Sequence, residues 1–341
     1  MSEKPIHILI SQLKNVGDVV LALPVAGLIR AHYPEATISF LAARYTHPII
    51  DACPDIDNCL DWDTIQSLPD KKVIEQLKIL QPTAIIHLCD NDRLAKLAKK
   101  AAIPYRIGTF QRLPHWIYCN RWVNQARRHS HLHEIELNVR MLKPLGIPSE
   151  LNFSELIPYI HLVPQVPLSQ DFAAQLSPER FNLIIHPGSH GHGREWPSHF
   201  FKKLIEILPT ERYQIFLTGS MGEQERFAAL IQQSPKAINL MGKMTLPELL
   251  SFIQHADGLV ASGTGPLHLA AALGIKALGL FPPRQGISPR RWRPAGKQGE
   301  YLVYDRPAFK FCMSCRGKSE CFCMTQISVK QVWNIIQNWK K

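Results

Sequence analysis

This 341-residue chain carries no low-complexity tract, no block of like charge and no internal repeat of solenoid type, and each absence removes a class. A disordered tail-like protein, a solenoid and a fibrous array are excluded. No leader is expected: Met1-Ser2-Glu3-Lys4-Pro5 runs into only Ile6 to Ile10, which lacks the length and cleavage signature of a signal peptide. The expected location is therefore the cytoplasm. The most apolar stretch, Leu259 to Phe281, is interrupted by glycines, Pro266, His268 and Lys276, so it reads as strand, loop, helix and strand and not as a membrane span.

Acidic residues are too few to balance the basic ones. Against 39 Lys and Arg stand 28 Asp and Glu, leaving +11, which points to an anionic partner: a phosphorylated substrate, an acidic lipid surface or nucleic acid. The basic residues gather at Lys96 with Lys99-Lys100, at Arg121-Trp122 with Arg127-Arg128, and at Arg290-Arg291-Trp292-Arg293. No known RNA- or DNA-binding module accompanies them, which leaves nucleic-acid binding as the distant alternative.

Metal-ligand patterns are equally thin. Eight cysteines in a leaderless chain are expected to be reduced thiols. Cys312-x-x-Cys315 and Cys321-x-Cys323 could compose a tetrahedral thiolate site, but the CxC pair is foreign to the usual zinc spacings, and structural zinc is not expected. His190 and His192 alternate on a glycine loop without a carboxylate pair, and His129, His131, His133 and Glu134 read as the opening of a helix.

What is present is alternation. At this length two domains are expected, and short apolar runs alternate with amphipathic stretches in both halves, the pattern of parallel sheets covered by helices. Strands are expected at Ile6 to Ser11, Thr37 to Ala42 and Thr83 to Leu88, then at Asn182 to His186, Gln214 to Thr218, Leu259 to Ala261 and Ala277 to Phe281. Helices are expected near Val19 to His32, with a restart at Pro24, and at His47 to Ala52, Arg93 to Ala102 and Glu134 to Leu145. In the second half they fall at His199 to Leu208, Gly222 to Gln232, Leu246 to Ala256 and Pro266 to Leu273, with Thr245 and Glu248 as a capping box. The proline-rich stretch 147 to 178 serves as the linker.

Four loops at expected strand ends could carry chemistry, because open α/β sheets bind ligands at the carboxyl ends of their strands. Lys14-Asn15-Val16-Gly17-Asp18 follows the first strand; Gly17 allows a close approach, and Asp18 opens a helix, where aspartate is also a favoured N-cap. Ser262-Gly263-Thr264-Gly265-Pro266-Leu267-His268 feeds a helix N-terminus and so offers unpaired N–H groups and a positive dipole end to a phosphate, although it is neither a Walker A loop nor a full GxGxxG. His186 to Pro197 is a glycine-rich exit containing Ser189 and His190, in which Arg194 offers a fork suited to a diphosphate. Thr218-Gly219 leads to Glu223 and Glu225, which could hold ribose hydroxyls or simply favour a first helical turn.

In this order the motifs resemble glycosyltransferase family 9, the ADP-heptose:lipopolysaccharide heptosyltransferases. The matching pieces are Gly17-Asp18-Val19-Val20 with Pro24, His186-Pro187-Gly188 with Arg194 and Trp196-Pro197, Thr218-Gly219, Gly242 with the Leu246 to Ala256 helix, and the Gly263 to Gly274 block. The resemblance implies a GT-B fold of two Rossmann-like, doubly wound domains facing a central cleft. The acceptor-binding domain would span 1–165, the nucleotide-sugar domain 166–325, and a C-terminal helix 326–341 would be able to pack back on the first domain. It implies inverting, metal-independent transfer of a heptose or related sugar from an ADP-sugar to a lipopolysaccharide core or other acidic glycan. No cofactor is implied beyond that donor, and membrane contact would be peripheral, at an anionic inner face.

On the same resemblance Asp18 is the base and Arg194, where the family usually has lysine, offsets charge on the departing diphosphate. Gly17, Ser189, His190, Gly219, Gly263, Thr264, Gly265 and His268 surround the donor, with Glu223 or Glu225 at the ribose. One departure stands out: Gly263-Thr264-Gly265 replaces the family's common Asp-Thr-Gly, removing a carboxylate expected near the donor sugar. Another GT-B chemistry, with a different sugar or as a nucleotide-sugar epimerase, is the alternative.

Overall fold

The computed structural model describes residues 6–127, 130–189, 191, 193–304 and 320–341. The chain divides into two compact units, Met1–Val163 and Pro164–Lys341. Each holds a six-stranded sheet whose recorded strand pairs are all parallel.

In the first unit the strands are β1 (His7–Ser11), β2 (Thr37–Ala42), β3 (Asn58–Asp61), β4 (Ala84–His87), β5 (Tyr105–Thr109) and β6 (Arg121–Val123), in the order β3-β2-β1-β4-β5-β6. The second unit repeats the plan with β7 (Phe181–His186), β8 (Tyr213–Leu217), β9 (Ala237–Asn239), β10 (Gly258–Ser262), β11 (Lys276–Phe281) and β12 (Gly299–Val303), in the order β12-β11-β10-β7-β8-β9. Both are doubly wound sheets that reverse direction beside their first strand, between β1 and β4 and between β7 and β10. The central strands are apolar on both faces because helices cover both; β7 and β10 are buried at every position.

Helices follow local signals. Pro24 lies in the first turn of Leu23–His32, which restarts after the short helix Val16–Val20. The Glu134 helix runs only to Val139 and continues as a 3-10 turn, Arg140–Leu145, that closes on Gly146 in the left-handed region at φ 75°. Glu248 accepts from the Thr245 N–H at 2.8 Å and its hydroxyl at 2.7 Å, the expected capping contact. The stretch Leu259 to Phe281 resolves into β10, a turn, the helix Gly265–Ala272 and β11. Among the described residues no helix is long and apolar enough to cross a membrane.

The C-terminal helix Val329–Ile336 belongs to the core of the second unit, where Val332, Ile336 and Trp339 join Phe201, Leu204 and Tyr213. Its backbone is held by side chains of the same unit: the Tyr213 hydroxyl donates to the Ile336 carbonyl at 3.1 Å, and Arg212 donates to those of Gln337 and Trp339 at 2.7 and 2.8 Å. Trp196 is part of this core as well, 1% exposed, its indole N–H donating to the Ile327 carbonyl at 2.8 Å. Cys321 and Cys323 lie buried here, while Cys312 and Cys315 fall outside the described residues.

Buried neutral histidines make the fold acid-sensitive. Burial pushes the His87 imidazole down to about 3, with His115 and Arg106 adding to the shift, and pushes His268 down to about 4. Both groups are neutral when folded and titrate near pH 6.5 when unfolded, so the unfolded chain binds more protons below that pH. Stability is unaffected by them above about pH 6.5 and is lost as pH falls toward 4, at a slope of about 2.7 kcal/mol per pH unit for the two together. Urea unfolding from pH 7 to 4.5 should show His268→Gln removing about half of that slope. An identical slope in the variant would contradict it.

Candidate nucleotide-sugar and acceptor sites

The register of the second sheet brings three of the expected loops to one edge. His186, at the end of β7, pairs with Ala261 of β10, and Ile185 pairs with Leu217 of β8, so the exits after His186, Leu217 and Ser262 are neighbours at the carboxyl ends. They are joined by side chains. His186 shares a 3.0 Å hydrogen bond with the Thr218 hydroxyl, and the Trp196 N–H donates to the Ser262 hydroxyl at 2.9 Å.

The loop after β7 is braced by a residue that sequence reading passed over. Glu195 accepts from the Ser189 N–H at 2.7 Å, from its hydroxyl at 3.0 Å and from Arg226 at 2.6 Å. With Glu195 spent on that scaffold, the adjacent half-buried Arg194 makes no hydrogen bond or ion pair among the described residues. Gly193 lies so close to the Gly263 carbonyl that a Cβ would meet it at 2.6 Å, so the two loops approach backbone to backbone. His190 lies outside the described residues.

Past Ser262 the chain turns through Gly263 and Thr264 into Gly265–Ala272, whose N-terminus no side chain among the described residues caps. Its first-turn N–H groups and the positive end of its dipole are therefore available to an anion. His268, one turn in, is 3% exposed, its Nδ1 has no hydrogen-bond partner among the described residues, and its ring stands edge-on to Trp292 at 6.2 Å. Held neutral by burial, it can donate to or accept from an oxygen without adding charge.

The glutamates after β8 are placed differently from one another. Glu223 is buried and folded back, accepting from the Ser220 N–H at 3.0 Å and hydroxyl at 3.1 Å, and a Cβ on Gly188 would overlap its carboxylate at 1.9 Å. It thus ties the Gly219 turn to the His186-Pro187-Gly188 exit. Glu225 is exposed.

Gly263 has a tertiary reason. A Cβ there would meet the Phe281 ring at 2.7 Å, so the fully buried end of β11 fills the space a carboxylate-bearing residue would need. Gly263→Asp alone should cost about 1–3 kcal/mol in urea unfolding through overpacking, and Phe281→Leu in the same chain should recover most of it. Strict additivity of the two would show that ring and side chain do not compete.

In the first unit Asp18 is the third residue of the helix Val16–Val20, and Asn15 holds the N-cap position, which corrects the reading of Asp18 as the cap. Negative charge here is favoured by the helix dipole. Gly17 is buried beneath it. Tyr45, another residue that sequence reading missed, donates from its hydroxyl to Asn15 Oδ1 at 3.1 Å and to the Lys14 carbonyl at 3.3 Å. Partial burial, then the charges of Asp18 and Asp63, raise its pKa, so it stays a neutral donor beside the carboxylate.

Two doubly wound units with glycine-rich exits at the carboxyl ends have the architecture of the GT-B fold. The profile of glycosyltransferase family 9 (heptosyltransferase) matches residues 71–319, and the chain belongs to that family. A putative glycosyltransferase of Haemophilus influenzae is 26% identical over 89% of this chain and 90% of its own length. Lipopolysaccharide heptosyltransferase 3 of Escherichia coli K12 is 25% identical over 81% and 82%. Among solved structures, the E. coli ADP-heptose lipopolysaccharide heptosyltransferase II superposes with a TM-score of 0.75 at 20% identity, covering 97% of this chain and 98% of that one, and supports the fold.

Proposed function

We propose that this glycosyltransferase moves a heptose, or a related sugar, from an ADP-sugar to a lipopolysaccharide core or other acidic glycan, with inversion and without a metal ion. The observation that carries the donor assignment is the uncapped N-terminus of Gly265–Ala272 beside the braced loop that leaves Arg194 without a partner among the described residues. A guanidinium and the first-turn N–H groups of a helix, here without one at Pro266, match a diphosphate in charge. The names of the relatives support the sugar and the acceptor.

In this reading the second unit holds the donor and the first receives the acceptor. Asp18 takes the proton of an acceptor hydroxyl as that oxygen bonds to the anomeric carbon. The bond from that carbon to the diphosphate breaks in the same step, and the nucleoside diphosphate leaves with the electron pair. Displacement in line inverts the centre. Arg194, the first-turn N–H groups, Thr264 and neutral His268 meet the departing charge, the role a metal fills in other transferases. Ser189, Gly219, Glu223 and Glu225 complete the donor set, and Gly263, with no carboxylate, leaves the sugar less constrained than the phosphates. Given the surplus of basic residues, we also infer peripheral contact with an anionic membrane face.

The test is calorimetric titration with ADP-, GDP- and UDP-sugars, then turnover on truncated lipopolysaccharide with and without EDTA. An ADP-sugar preference and EDTA-resistant turnover are expected. Preference for UDP or GDP would overturn the heptose assignment, and loss of turnover in EDTA would overturn metal independence.

A further inference from the structure

The helix Leu113–Tyr118 turns its apolar side outward. Leu113, Trp116 and Ile117 stand at i, i+3 and i+4, the spacing that puts side chains on one helix face, and that face normally meets a core. Here the three are 68%, 50% and 51% exposed. The side that is buried carries His115, whose Nδ1 accepts from the Thr109 N–H at 3.0 Å, followed by buried Cys119 at the cap. The apolar surface spreads through neighbouring residues: Phe110 packs its ring on Trp116 at 4.7 Å, and Tyr105 of β5 and Trp122 of the edge strand β6 are exposed as well. Of the fifteen large apolar side chains exposed among the described residues, six fall within 105–122, so this is a patch and not ordinary scatter.

Both indole N–H groups are satisfied by backbone, Trp116 by the Phe110 carbonyl and Trp122 by that of His115 at 3.0 Å, which leaves the rings as apolar surface. The border is cationic. Lys96, Lys99 and Lys100 are exposed on the adjoining helix Asp92–Lys100, Lys99 reaching the Ile117 carbonyl at 2.9 Å, and Arg121 lies over the Tyr105 ring at 5.0 Å. Asp90 and Asp92 share the single Arg112 guanidinium at 2.7 Å, leaving one negative charge there, which Lys96, Lys99, Lys100 and Arg121 outweigh.

The geometry points to this face as the one that rests on an anionic phospholipid bilayer. Leu113, Trp116, Ile117 and Phe110 enter the boundary between headgroups and acyl chains, while the lysines meet lipid phosphates. The inference deepens the membrane contact proposed above and rests on it. A second copy of the chain could also cover an apolar patch, but a two-fold self-contact would bring the lysine borders of both copies together. Charge therefore favours lipid.

The experiment is co-sedimentation of the full chain with vesicles of phosphatidylcholine alone or mixed equally with phosphatidylglycerol, in the absence of any nucleotide sugar. The chain should bind the mixed vesicles and scarcely the neutral ones. Leu113→Ser/Trp116→Ser/Ile117→Ser should weaken binding at least roughly tenfold, and Lys96→Gln/Lys99→Gln/Lys100→Gln roughly fivefold per charge removed, with circular dichroism unchanged. Should the triple apolar variant misfold, Trp116→Ser alone is expected to weaken binding and to remove part of the tryptophan blue shift on vesicles. Apolar variants that bind like the parent would overturn the assignment of this face while leaving membrane contact standing. A parent chain that ignores both vesicle types would overturn the contact itself, with the donor screen unaffected. A parent that elutes as a dimer and an apolar variant that elutes as a monomer, with vesicle binding unchanged, would assign the patch to self-association instead.

Discussion

Asp18→Asn is expected to abolish sugar transfer while leaving nucleotide-sugar binding and the fold intact. Asparagine keeps the size and shape of the side chain at the third position of Val16–Val20 and removes only the charge and the ability to take a proton. Positioned general-base catalysis contributes roughly 10²–10⁴-fold, so turnover on lipopolysaccharide should fall by that factor. The stability loss should stay within about 1 kcal/mol, the worth of a carboxylate in the first turn of a partly exposed helix. The two readouts separate the possibilities: activity within a few-fold of the parent would remove Asp18 from the chemistry, and unfolding would show that the carboxylate is structural. Because Tyr45 is tied to Asn15 and the Lys14 carbonyl and not to the substrate, Tyr45→Phe should give a milder defect.

Arg194→Ala should weaken binding of the ADP-sugar by about 10- to 100-fold, the equivalent of one charge-assisted hydrogen-bonding group at roughly 1.5–3 kcal/mol. The loop should survive the change, since its bracing runs through Glu195, Ser189 and Arg226. Arg194→Lys keeps the charge and loses the fork, so an intermediate affinity is expected. Titration calorimetry with the intact donor and with ADP tells whether the loss follows the diphosphate. An unchanged dissociation constant in the alanine variant would take Arg194 out of the site.

Legibility followed burial. The strands read from sequence, β1, β2, β4, β7, β8, β10 and β11, are interior to their sheets, and burial on both faces writes an apolar run into each. The edge strands β3, β6, β9 and β12 were not anticipated: Asn58–Asp61 and Arg121–Val123 are partly solvated and too short for a period to show. β5 is interior, but Arg106 and Gly108 interrupt its run; the guanidinium reaches the Tyr118 carbonyl at 2.8 Å.

By itself the sequence determined two doubly wound units and the loops that end their strands, because glycine, proline and capping residues act within a few positions of themselves. The site's interior was decided elsewhere. Gly263 is explained by Phe281, eighteen residues on, which it meets only because β10 pairs with β11. Glu223 packs against Gly188 because β7 lies beside β8, and Glu195 in the loop after β7 is engaged by Arg226 of the helix Met221–Arg226. The outward stripe of Leu113, Trp116 and Ile117 has the period of an ordinary core helix. A period records only that a helix has two unlike faces, and the neighbours it packs against settle which one is buried.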